Sequence, residues 1–265
     1  MPNPFGDGDM AAGYAAARPP VHQHVIALLQ QWTGPVGYRL AVDIGCGAGL
    51  STRPLLALAA RCVGIDPSDS MVHTARRIVP QAAFVTAAGE AMPFARGSVD
   101  LLTAAGSLNY ARDLDAVWRE ALRVLAPCGV LVVYDFAAAR SFADPQDIAL
   151  DTWYESFVAR YPRPVSGAVP LSPAILSTQA RGLHVTRGDT FELALDLTPD
   201  FYVSYMLTET NVQQATRGGV AIDTVREWCT TTLAPVFGAR PRTVLFRGYL
   251  AILQAAGHRF AASPA

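Results

Sequence analysis

The stretch Val42-Asp43-Ile44-Gly45-Cys46-Gly47-Ala48-Gly49-Leu50-Ser51 constrains this chain more than any other. The apolar run Leu40-Ala41-Val42 leads into Asp43 and predicts the end of a buried strand. Glycines at 45, 47 and 49 then alternate with small residues, and a helix-forming run extends from Leu50 to Ala60. Strand, glycine turn and helix is the layout that binds a nucleotide-like ligand at a helix N-terminus. Glycine permits positive φ and lets backbone approach a ligand closely. The spacing departs from the dinucleotide fingerprint, which needs a glycine where Leu50 stands.

The same alternation continues downstream. Arg61 to Asp66 predicts a second buried strand ending in an acid. An acid there can accept hydrogen bonds from both hydroxyls of a ribose, and a helix N-cap in the Pro67-Ser68-Asp69 turn is the structural alternative. Gln81 to Ala87 and Ser98 to Ala104 read as strands three and four. Asp113 to Leu125 reads as an amphipathic helix closed by Pro127-Cys128-Gly129, and Val130 to Asp135 as a very apolar fifth strand. A helix from Val21 to Trp32, with Val25, Leu28, Leu29 and Trp32 on one face, precedes the set. Five β/α alternations predict a doubly wound α/β domain. In such sheets ligands sit at the carboxyl ends of strands, which makes Ser107, Asn109 and Tyr110 pocket candidates.

Beyond Phe136 the pattern changes. Asp151 to Tyr161 is aromatic-rich, and Ser172-Pro173 starts a helix through Ala180. A strand is expected around Thr190 to Leu195. Thr198-Pro199 starts a helix taken through Val212, whose face offers Tyr202, Tyr205, Met206 and Glu209. Asp223 is placed as the cap of a helix through Leu233, and Arg242 to Leu253 as the last strand. Tyr202, Tyr205 and Met206 are the substrate-binding candidates of this region, with ordinary core packing as the alternative.

The stretch VDIGCGAG resembles motif I of the class I S-adenosylmethionine-dependent methyltransferases, of the small-molecule, type 11-like kind. GIDPSDSM is similar to that family's second motif, the pairing of GEAMPF with SVDLL resembles a familiar feature of the same family, and LRVLAPCGVLVVYD resembles its fourth conserved block. Tyr14 and Arg18-Pro19 are similar to a segment that folds over the cofactor in many members. The resemblance implies S-adenosylmethionine as cofactor, held by Tyr14, Arg18, Asp43, Gly45, Cys46, Gly47, Gly49, Asp66, Pro67, Met71, Gly89, Glu90 and Ser107. Ala88 stands where relatives carry an adenine-binding Asp, which passes that contact to Gly89 or Glu90.

It implies one domain over residues 1–265: a cofactor-binding core at 14–135, a substrate cap with the sixth strand at 137–242, and a last strand at 243–254. The expected fold is a Rossmann-like, mostly parallel, seven-stranded sheet with that helical cap inserted before the last strands.

Composition narrows the partners. A net charge of −1 gives no footprint for nucleic acid. All 21 basic residues are arginine, which excludes a lysine Schiff base or lysine general base. The four cysteines form no CxxC pair, and no metal site is expected. No apolar run reaches membrane-span length, and Met1-Pro2-Asn3-Pro4 lacks the start of a signal peptide, so a cytoplasmic protein without membrane partners is expected. Self-association is left open.

The expected function is methyl transfer to O, N or C of a small molecule. An in-line displacement at a sulfonium gains most from a dry, well-oriented pocket. None of His22, His24, His73, His184 and His258 sits in an evident catalytic constellation, and no general base is assigned. A non-catalytic cofactor-binding module and a nucleotide-dependent oxidoreductase are the competing classes.

Overall fold

The five alternations become the parallel part of one sheet in the computed structural model, which describes residues 18–34, 37–164, 168–238 and 240–255. β1 (Tyr38–Ile44), β2 (Ala59–Asp66), β3 (Ala83–Thr86), β4 (Val99–Ala105) and β5 (Leu125–Phe136) run parallel in the order β3-β2-β1-β4-β5. β8 (Arg242–Ala255) adds antiparallel to β5, and β7 (Leu183–Leu197) pairs antiparallel with β8 along its length. The order reverses between β1 and β4. The crevice at the strand ends of such a reversal is the usual ligand position in this topology.

Both faces of the central strands are covered, so they read as continuous apolar runs. On β5, Val130, Val132 and Tyr134 face one side, with Val25 and Leu29 of α1 (Val21–Thr33) and the aromatic residues of the later helices. Leu131 and Val133 face the other, with Val117, Ala121 and Val124 of α3 (Leu114–Val124) and with Leu176. Full burial of each such side chain contributes about 1.5–3 kcal/mol. α2 (Asp69–Ile78) is capped by Ser68, which accepts from the Met71 N–H, and α3 by Asp113, which accepts from that of Ala116.

The remaining helices are α4 (Ala149–Arg160), α5 (Pro173–Gln179), α6 (Pro199–Met206), α7 (Thr210–Arg217) and α8 (Ile222–Phe237). Ser172 and Thr198 cap α5 and α6 as the sequence predicts. Trp153, Tyr154 and Phe157 of α4 pack with Tyr202 of α6 and Phe237 of α8 into the larger core.

Several local expectations change. The sheet has eight strands rather than seven. After β5 the chain bends away and returns to the same flank of β8 as the two-residue β6 (Ser141–Phe142). The run Leu50–Ala60 is no α-helix: it forms a 3₁₀ turn over Arg53–Ala57, and β2 already begins at Ala59. Pro54 has no N–H to extend a hydrogen-bonded turn, and the side chains of Ser51 and Thr52 are drawn inward to Asp43.

The helix begun at Pro199 stops at Met206 and a new one starts at Thr210, so Tyr205 and Glu209 do not share one helix. The Thr208 hydroxyl donates to the Tyr205 carbonyl and takes a site the helix ladder would use. Asp223 lies within the first turn of α8, two residues past Ala221, which holds the N-cap position that Asp223 was expected to fill. It still places negative charge at the positive end of the helix. β7 extends well beyond Thr190–Leu195 because β8 supplies a partner along its whole length. Among the described residues no helix is long and apolar enough to cross a membrane.

Candidate active site

The glycine loop is pinned from beneath by Asp43. This carboxylate is fully buried, and three hydroxyls donate to it: Ser51 at 2.6 Å and Thr52 at 2.7 Å on one oxygen, and Thr103 of β4 at 2.9 Å on the other. Burial pushes its pKa up, the three hydroxyls pull it down, and the charge of Asp66 adds to the rise. Asp43 therefore ties the far end of the loop to β1 and β4 and faces no open space. Ser51, Thr52 and Thr103 escaped the sequence reading. A hydroxyl pair just after the third glycine is the signal that would have found two of them.

Asp66 pins the other side. One of its oxygens accepts from the Gly47 N–H at 3.0 Å and the other from the Ser68 N–H at 2.9 Å. Burial raises its pKa, opposed by these two amides. Gly45 and Gly47 both have positive φ, +65° and +51°. A Cβ at Gly45 would lie 2.4 Å from the Ser107 Cβ, whereas one at Gly47 meets nothing within 4 Å. Gly45 is required by close packing, and Gly47 by a backbone turn beside open space. Ser107 closes the contact by donating to the Ile44 carbonyl at 2.5 Å.

A family model described as a methyltransferase domain matches residues 42–133. These residues, about a third of the chain, are similar to that domain. The chain is 36% identical over 104 residues to an uncharacterised methyltransferase of Mycobacterium leprae, covering 37% of each protein. It is 30% identical over 165 residues to trans-aconitate 2-methyltransferase of Azoarcus sp., covering 58% of this chain and 62% of that one. The matches thus span less than two thirds of either relative. A structure assigned as a type II methyltransferase from Anaeromyxobacter dehalogenans superposes with a TM-score of 0.67 at 23% identity, over 85% of this chain and 94% of that chain, and shares the fold.

Around the glycine loop the expected residues divide. Gly45, Gly47, Asp66 and Ser107 meet at the ends of β1, β2 and β4, whereas Gly49 packs against Ala75, Val79 and Phe84. Met71 packs against Ala48 beneath the loop, Gly89 lies against Ile44 at the end of β1, and Pro67 is exposed at the turn. Cys46 turns inward among Val72, Ala75 and Phe84, where burial foremost raises its pKa well above the thiol range. The Glu90 carboxylate accepts from the N–H groups of Arg112 and Asp113, at 2.8 and 3.4 Å, and so ties this loop to the start of α3. Tyr14 lies outside the described residues.

Tyr202 and Met206 do not reach the crevice. Both are fully buried, and the Tyr202 hydroxyl donates to the Ala139 carbonyl at 2.6 Å. Tyr205 is buried as well, but its ring carries the Arg18 guanidinium 5.3 Å from its centroid, and Arg18 pairs with Glu209 at 3.5 Å. Tyr110 is 51% exposed beside the end of β4.

Two pairs at the end of β5 were not anticipated. The Asn109 amide donates to Asp135 at 2.9 Å, and burial raises the pKa of that carboxyl against this bond and the Phe136 N–H. Asp135 is a third strand-end acid, the signal already used for Asp43 and Asp66. The Tyr134 hydroxyl lies 2.8 Å from Nδ1 of His22. Burial, aided by the charge of Arg18, lowers His22 to about 4, so its ring is neutral. The phenol, raised well above its usual pKa, then donates to Nδ1 and the ring proton sits on Nε2. Among the described residues no three His, Cys, Asp or Glu side chains are grouped to hold a metal ion.

Proposed function

We propose that the Gly45–Gly49 loop binds S-adenosylmethionine and that the chain methylates a small molecule seated over the ends of β4 and β5. The pinned loop carries this reading: Asp43 and Asp66 hold its two sides while Gly47 faces space that a Cβ would not fill. A carboxylate offers about four acceptor positions, and protein amides take two of those on Asp66. The remaining two suit the hydroxyls of a ribose.

When bound, the cofactor supplies an electrophilic methyl group on a sulfonium. Ala48 and Met71 offer an apolar floor beside it, and Ser107 holds the loop after β4 against β1. The acceptor region is framed by Asn109, Tyr110, Arg18 and Tyr205, which is consistent with orientation and water exclusion as the main contributions. The Azoarcus relative is named for a small acid, in keeping with a small-molecule acceptor. In this reading residues 14–135 are the cofactor core, 137–242 the cap, and 243–254 the closing strand.

Calorimetry tests the assignment. S-adenosylmethionine should bind with a micromolar dissociation constant, roughly −8 kcal/mol. Asp66→Ala should weaken binding by roughly 1.5–3 kcal/mol, as bonds to a charged acceptor are lost. Wild-type affinity in that variant would remove Asp66 from the cofactor site.

A further inference from the structure

Arg18, Arg140 and Arg163 gather around Tyr154, Tyr205 and Glu209 in a chain whose net charge is −1. At the end of α4, Arg163 donates from Nη2 to the Tyr154 hydroxyl at 2.6 Å, and its guanidinium lies 5.9 Å from that ring's centroid. Tyr154 itself is buried, so it is a fixed support. An exposed arginine normally loses side-chain entropy on meeting a ligand. Here that ordering is largely done in advance, and Arg163 remains an exposed residue.

The surroundings define where the fork sits. Arg163 interacts electrostatically with Glu209 and with Tyr110 of the loop after β4, and Arg140 acts on Tyr154 from the segment after β5. Glu209 is the partner of Arg18, whose guanidinium covers Tyr205. Arg18 and Arg163 therefore share the Glu209 carboxylate, and Arg140 adds a third guanidinium near Tyr154. Among the described residues no carboxylate lies within 4 Å of Arg163 or Arg140. A planar fork fixed beside an aromatic hydroxyl is suited to an oxyanion with two oxygens to offer.

We propose that Arg163, held by Tyr154 and seconded by Arg140, binds an oxyanion of the methyl acceptor, a carboxylate or a phosphate, and that the acceptor class is acidic. The inference rests on the proposed cofactor reading, because it places the anion beside the same strand ends. Arg163 is a specificity residue in this scheme and takes no part in bond making.

The test uses citrate, inorganic phosphate and the uncharged triethyl citrate as probes, titrated calorimetrically into the full chain. Each titration is run with and without saturating S-adenosylhomocysteine, whose own binding is measured first. Citrate or phosphate should bind and triethyl citrate should not, and the stronger anion identifies the acidic group. Arg163→Met should weaken anion binding about tenfold or more while leaving S-adenosylhomocysteine within about twofold of wild type. Arg163→Lys, which keeps the charge without the fork, should fall between the two. Equal anion binding in wild type and Arg163→Met, or no anion binding by wild type, would overturn the inference. Failure of S-adenosylhomocysteine to bind would instead remove the cofactor reading, and is seen before any anion is added.

Discussion

Asp43, Asp66 and Asp135 stand within a residue of the ends of β1, β2 and β5, and each is a carboxylate taken largely out of water. Two of the three are legible in the sequence as acids closing apolar runs. Asp135 is legible by the same rule but has no glycine loop after it to draw attention. Its partner Asn109 comes from another strand end, which only the fold brings near. Burial raises the Asp135 pKa above its unfolded value, so the folded state holds this proton more tightly. The resulting stability is complete below the unfolded carboxylate range and is lost as pH rises through the folded value. Asp135→Asn removes that dependence and keeps an acceptor for Asn109. Urea midpoints measured from about pH 4.5 to pH 7.5 should show wild type losing ground to the variant as pH rises. Parallel profiles would mean that Asp135 titrates normally.

Elements were read well where a local signal sets them and poorly where tertiary partners do. Ser172-Pro173 and Thr198-Pro199 carry their own caps, and α5 and α6 start where expected. The local mark of the stop after Met206 is the single hydroxyl of Thr208, a residue type that helix interiors also carry, and the shared face of Tyr202 and Met206 points into core rather than crevice. The 3₁₀ turn after the loop depends on Asp43, which lies outside the segment it reshapes. The loop itself separates two glycine requirements that sequence cannot tell apart. Gly45→Ala places a Cβ against Ser107 and should destabilise the fold by several kcal/mol or rearrange the loop after β4. Gly47→Ala meets no neighbour, so its fold penalty is the cost of positive φ alone, about 1–2 kcal/mol. Its larger effect should fall on S-adenosylmethionine, because the methyl projects into the ligand space. Denaturant melts and calorimetry on the two variants check this pattern, and similar cofactor affinity in Gly47→Ala and wild type would place the ligand elsewhere.

For the molecule as a whole, the deciding feature is a strand order that reverses between β1 and β4. That reversal serves any nucleotide-like ligand, so the topology by itself leaves methyl transfer and dinucleotide redox chemistry level. The loop breaks the tie. Leu50 stands where the dinucleotide fingerprint needs its third glycine, and the turn after it is a short 3₁₀ segment, not the long helix whose N-terminus receives a pyrophosphate. A ligand that binds only the folded state stabilises it by about 2.7 kcal/mol at a hundredfold excess over its dissociation constant. For a domain of this size each kcal/mol moves the melting midpoint by about 2–4 °C. Saturating S-adenosylhomocysteine should therefore raise the midpoint by about 5–10 °C, and NAD⁺ at the same concentration should leave it unmoved. Asp66→Ala should lose most of the first shift, read as the difference between liganded and unliganded midpoints of the same variant, because its unliganded midpoint also changes when the Gly47 and Ser68 N–H groups lose their acceptor. A shift with NAD⁺ and none with S-adenosylhomocysteine would reverse the assignment and make the Gly45–Gly49 loop a dinucleotide site of unusual spacing.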